Sequence, residues 1–163
     1  MTNAAQDREV RSRVETALRQ LSVLDRHLLA HDANERALRH RFAVHIERHF
    51  DHWDVDCEYD LFTADPARLT ELERGLVIAV IGKPLARDTF GLSVFPDIIV
   101  HHRKTDDNLL AIEVRKSTSP IPIEVDRAKL ALWKEEPLAF RYACLVRLET
   151  GEGGASPYSY EFV

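Results

Sequence analysis

Hydrophobic residues at Val10, Val14, Ala17, Leu21, Leu24 and Leu28 recur at alternating steps of four and three along the N-terminal part of the chain. That spacing predicts an amphipathic helix over about residues 6–30. The seam is short for a coiled coil that stands alone, so packing on the rest of the domain is favoured and a homodimer through this helix stays open. Leu38, Phe42, Ile46 and Phe50 form a second stripe, giving a helix over about 34–50 with Asp32 or Asn34 as the candidate N-cap. The period then changes to two in "WDVDCEYDLF". Val55, Cys57, Tyr59 and Leu61 face one way, while Asp54, Asp56, Glu58 and Asp60 face the other as a solvated sheet surface.

Residues 63–94 read as a helix opened near Pro66 and followed by a loop, with a strand at 76–81 as the alternative. Next, "PDIIVHHR" is a strand led by a proline, a tolerated position. A turn at 106–108 returns the chain as "LLAIEVRKS", antiparallel to the strand before it. Beyond Pro120 and Pro122, the residues Val125, Ala128 and Leu132 mark a helix that Pro137 ends. A strand over 139–149 and the closing "YSYEFV" complete the pattern. The predicted fold class is α/β: a central mixed sheet flanked by helices.

Composition adds bounds to this picture. A length of 163 residues fits one domain, 1–163, with the N-terminal helix preceding a core of about 33–163. With 45% apolar and 30% charged residues the chain has the make-up of a soluble globular protein. A net charge of −5 argues against a general nucleic-acid coat, which needs a basic stripe, but leaves local basic clusters open. "MTNAAQDREV" has no apolar signal region, and the run Leu76–Ile81 is too short to span a bilayer. A cytoplasmic protein with no membrane partner is expected. Cys57 and Cys144, both on predicted strands, are expected to be buried reduced thiols.

Three motif-like features fail on their chemistry. "GLVIAVIGKP" has six residues between Gly75 and Gly82 where a phosphate loop has four, and Pro84 stands at its Ser/Thr position. In "HIERH", Glu47 is one place too late for a zinc peptidase, so His45 and His49 read as a solvated or half-buried helix face. His101 and His102 point to opposite sides of a strand and cannot chelate together.

The hairpin 96–116 carries more. In "NLLAIEVRKS", Glu113 stands among Leu110, Ala111, Ile112 and Val114, and a carboxylate on a buried strand is costly without a partner. Antiparallel pairing around the 106–108 turn brings Asp97, at the start of one strand, beside Glu113 near the end of the next. Two carboxylates that close repel unless a cation lies between them. A hard divalent ion such as Mg²⁺ takes one or two carboxylates with waters and a phosphate oxygen. It would polarise that oxygen and acidify a bound water. Arg115, two residues past Glu113 on the same face, would offset charge developing on phosphorus. The plain alternatives are a strand-entry role for Asp97, a capping box of Asp32 with Glu35, an ordinary ion pair between Glu113 and Arg115, and surface positions for Arg115 and Lys116.

These residues resemble the PD-(D/E)XK nuclease superfamily, the restriction-endonuclease-like fold. Pro96-Asp97 matches the PD and Glu113 the (D/E). "NERALRHRFAVHIERHF" and "WDVDCEYD" resemble the first helix and strand of a group of uncharacterised bacterial proteins with this hairpin, which read EYN where this chain has Glu58-Tyr59-Asp60. "DRAKLALW" resembles the helix after the hairpin. The likeness covers roughly 33–148, with 61–94 unmatched in detail. It implies a Mg²⁺- or Mn²⁺-dependent phosphodiesterase acting on DNA, with RNA as the second choice. It implies Asp97 and Glu113 as metal ligands, joined by Glu35 from the helix, and singles out Glu58. The family's lysine is replaced by Arg115, which stays protonated and cannot act as a base. Lys116 faces the other way on a regular strand unless a bulge turns it. Lys129, on the following helix, is the substitute in reserve. The alternative expectation is a catalytically inactive nuclease-fold domain that binds nucleic acid or a protein partner.

Overall fold

The computed structural model describes residues 3–57, 96–136, 138–152 and 156–163. The N-terminal seam forms helix α1 (Ala4–Leu24), opened by Asn3, whose side chain accepts from the Ala5 amide. Val10, Val14, Ala17, Leu18 and Leu21 are buried along it. The predicted single helix is broken at Asp25, and a short helix α2 (Arg26–Ala30) follows. Asp25 is buried and accepts from Arg41 Nε at 2.9 Å and pairs with His45 Nε2 at 2.6 Å. Leu24 is 60% exposed, so the predicted stripe is buried as far as Leu21, misses at Leu24 and returns at Leu28, which is partly buried against the core. Val10, Val14, Ala17 and Leu21 of the seam pack into the domain's own core, the arrangement that the spacing favours.

Helix α3 (Glu35–Glu47) starts at Asn34, whose Oδ1 accepts from the Ala37 amide at 2.8 Å. Asn34 rather than Asp32 is therefore the cap, and Glu35 is not held in a capping box. His45, expected on a solvated or half-buried face, is fully buried against Asp25; His49 is part-buried and meets Gln20 at 2.9 Å.

Among the described residues the strands are β1 (Asp54–Cys57), β2 (Ile98–His101), β3 (Asn108–Lys116), β4 (Tyr142–Leu148) and β5 (Tyr158–Phe162). Between β3 and β4 runs helix α4 (Ile123–Lys134). The five strands lie in chain order, with β3 and β4 parallel and every other neighbour pair antiparallel. The mixed sheet is as predicted, and α4 supplies the crossover that a parallel pair needs. Alternation along the strands separates two cores. Val100, Ile112, Val114 and Val146 meet α1 and α3 on one face, and Ile99, Ala111, Ala143 and Leu145 meet Leu130 and Trp133 of α4 on the other.

Several expectations need correction. Cys57 is exposed, while Cys144 is buried as expected. The acids of β1 are not simply solvated: Asp56 pairs with Arg103 at 2.6 Å and His101 at 2.8 Å, and Asp54 accepts from the Arg103 amide at 2.9 Å. His101 and His102 do diverge, His101 to Asp56 and His102 to a stack on Trp53. On α4 the buried face is rotated from the predicted stripe and comprises Val125, Asp126, Lys129, Leu130 and Trp133. Two charged side chains thus face the sheet. The helix and loop predicted over 63–94, and Glu58, lie outside the described residues. Among the described residues, no helix is long and apolar enough to cross a membrane.

Candidate functional site

The β2–β3 register pairs Ile98 with Ile112, and one further step sets Asp97 opposite Glu113. The Val114 amide donates to Asp97 Oδ2 at 2.8 Å, fixing the carboxylate at the strand entry. Both acids are nearly inaccessible, Asp97 at 6% and Glu113 at 4% exposure. Burial of this kind disfavours ionised carboxylates, so each requires compensating charge.

That charge arrives from both helical layers. From α3, Arg39 places a guanidinium nitrogen 2.9 Å from Asp97 Oδ1 and 3.3 Å from Glu35 Oε1. From α4, Lys129 Nζ lies 2.9 Å from Glu113 Oε2 and 5.3 Å from the ring centre of Trp133. Glu113 Oε1, also buried, has no hydrogen-bond partner among the described residues. Burial raises the Asp97 carboxyl above its ordinary range, against the opposing pull of Arg39 and Lys129. Burial, reinforced by the neighbouring Asp97 charge, holds Glu113 well above the usual glutamate value. The two acids therefore sense each other, as the hairpin geometry predicts.

The remaining predicted residues separate. Arg115 shares the α4 face with Glu113 but turns to Asp126, with one guanidinium nitrogen 2.8 Å from Oδ2 and the other donating to the Ile121 carbonyl at 2.6 Å. Neither the Glu113–Arg115 pair nor the surface position considered for Arg115 is what the fold contains. Lys116 points to the opposite face, where its Nζ meets Asp32 Oδ1 at 2.7 Å. Glu35 stands at the edge of the group, tied through Arg39 to Asp97 and accepting from the Lys116 amide at 3.3 Å.

Neither family models, nor curated proteins, nor solved structures match this chain.

Sequence reasoning missed Arg39 and Asp126. Arg39 lies one turn after Glu35, a pairing visible at i, i+4 in the sequence. Asp126 and Lys129 mirror Glu113 and Arg115: an acid and a base on α4 meet a base and an acid on β3. That reciprocal charge pattern was the available signal, and it shares the inward face of α4 with Val125, Leu130 and Trp133.

Among the described residues, no group of three or more His, Cys, Asp or Glu side chains is arranged to hold a metal ion together. The donors that fit a hard divalent cation are two, Asp97 and Glu113, which is within the usual protein contribution to a Mg²⁺ site. The fit rests on the unpartnered, buried Glu113 Oε1 beside a second carboxylate. A groove of about 480 Å³ lined by Ser22, Arg26, Leu29 and Glu149 lies elsewhere and contains none of these residues.

Proposed function

We propose that this chain is a metal-dependent phosphodiesterase of the PD-(D/E)XK type, with DNA as substrate before RNA. One observation carries the proposal: Asp97, at the entry to β2, and Glu113 on β3 oppose each other, with Lys129 on Glu113 and Glu113 Oε1 buried without a partner among the described residues. Asp97 and Glu113 would hold Mg²⁺ or Mn²⁺, with Glu35 close enough to add charge. The bound ion would supply Lewis-acid polarisation of a phosphoryl oxygen and a more acidic water.

The chain's own residues divide the remaining work. Lys129, held at the acid pair by Glu113, donates hydrogen bonds to the attacking water or to the phosphoryl oxygens, where a fixed cation lowers the barrier as charge develops. It takes the part first expected of Arg115. Arg115 instead braces β3 against α4 through Asp126, so its inability to act as a base does not bear on the reaction.

A second reading, a domain that retains the fold and binds nucleic acid or a protein partner without cleaving, is favoured by one observation. Arg39 already occupies Asp97 Oδ1, the oxygen that a metal would need. Incubation with linear, nicked and single-stranded DNA and with RNA, each with Mg²⁺ or Mn²⁺, separates the two. Cleavage lost in Asp97→Ala and Glu113→Gln supports the enzyme. Equal cleavage by wild type and Asp97→Ala identifies a contaminant and removes the assignment.

A further inference from the structure

Asp97 sits in a ring of contacts that neutralises it without a metal. Its Oδ2 accepts from the Val114 amide, and its Oδ1 faces the Arg39 guanidinium at 2.9 Å. The Arg39 side chain is only 14% exposed and is steadied from behind by Glu35 Oε1 at 3.3 Å. Glu113 differs: Lys129 occupies one of its oxygens, while Oε1 is buried and unpartnered among the described residues. Among the described residues, one carboxylate of the pair is thus engaged at both oxygens and the other at one.

A divalent ion entering between the two would gain Glu113 Oε1 directly. At Asp97 it would meet a resident positive charge, and two cations cannot share one buried carboxylate oxygen without strong repulsion. We propose that Arg39 is a built-in competitor for the metal at Asp97, whose guanidinium leaves Oδ1 when the ion binds. This rests on the metal-site reading above and adds its regulation: metal binding is exchange of one cation for another, not filling of an empty site. Without the ion, the Arg39 guanidinium supplies the positive charge at Asp97 Oδ1.

The test uses the full chain and Mn²⁺ alone, by isothermal titration calorimetry with no nucleic acid present. Arg39→Gln keeps a hydrogen-bond donor near Asp97 but removes the charge, whereas Arg39→Lys keeps the charge. Loss of a charge-assisted contact of ordinary strength predicts Mn²⁺ affinity for Arg39→Gln higher by about tenfold or more, with Arg39→Lys near wild type. Glu113→Gln abolishes uptake in either background. A residue acting only in folding would lower affinity or leave it unchanged, without sorting the variants by charge. Arg39→Gln binding no tighter than wild type, with uptake still lost in Glu113→Gln, overturns the competitor role and leaves the metal site standing. No Mn²⁺ uptake by wild type or Arg39→Gln overturns both. A second measurement on the wild type needs no Arg39 variant: saturating Mn²⁺ should raise the rate at which phenylglyoxal modifies Arg39, read by peptide mass mapping. An unchanged rate counts against the exchange.

Discussion

Lys129 Nζ and Glu113 Oε2 meet at 2.9 Å, with both side chains more than nine-tenths buried between β3 and α4. This contact puts a cationic head group beside the acid pair from a helix rather than from the strand position two residues after the glutamate. Lys129→Met should therefore lower cleavage by roughly 10²-fold or more, the scale for loss of a preorganised group facing developing charge. Arg115→Lys should leave cleavage within a few-fold of wild type, since Arg115 is turned to Asp126. Rates are to be compared per folded molecule, in Mn²⁺, on one plasmid substrate. The reverse ranking would return the reaction to Arg115.

The Arg115–Asp126 pair should behave as a buried structural bridge. Removing either partner leaves a charge stranded under 10% exposure, and Arg115→Met or Asp126→Leu should each cost about 3 kcal/mol. The double variant should recover about 1–3 kcal/mol relative to the sum of the singles. Urea unfolding of the four proteins closes this cycle. Additive losses would mean that the two side chains do not act together.

Glu113 also makes stability depend on pH, with a definite sign. Below its ordinary value of 4.5 the carboxyl is protonated in folded and unfolded chains alike. Above that, the unfolded chain releases the proton while the folded chain retains it, because burial and Asp97 hold the group well up. The group's contribution to stability then falls as pH rises, until the folded-state carboxyl also ionises. Glu113→Gln removes this slope, so its stability relative to wild type should climb from about pH 4.5 upward in metal-free buffer. Urea midpoints between pH 4 and 8 provide the check, and a flat difference would contradict it.

The two thiols should separate cleanly. Cys57 is exposed, while Cys144 is fully buried and its thiol is pushed up by burial. Reaction with a chromogenic disulfide should titrate one equivalent in the native protein and a second only in denaturant. Two native equivalents would place Cys144 outside the core.

The sheet was legible because its signals are local. Alternation marked β1, the apolar runs marked β2 and β3, and their spacing around a short turn set the register that opposes Asp97 and Glu113. The α1–α2 break was not legible: nothing in the heptad spacing shows that Asp25 will be drawn to Arg41 and His45, which lie 16 and 20 residues away. The inward face of α4 was misjudged for a related reason. Counting apolar positions leaves Asp126 out of the inward face, and only its partner Arg115 on β3 reverses that. Cys57 shows a third limit, since strand parity gives a side chain's direction but not whether anything covers it.

Cys57 and Ile98 are register partners at adjoining strand ends, one residue from Asp97. That pairing fixes where residues 57 and 98 lie and prescribes no length for the chain between them. Closing a loop between two fixed neighbours changes by only ~0.6 kcal/mol for each doubling of its length. The alignment of Asp97 with Glu113 is thus set by strand pairing alone, whatever number of residues joins β1 to β2.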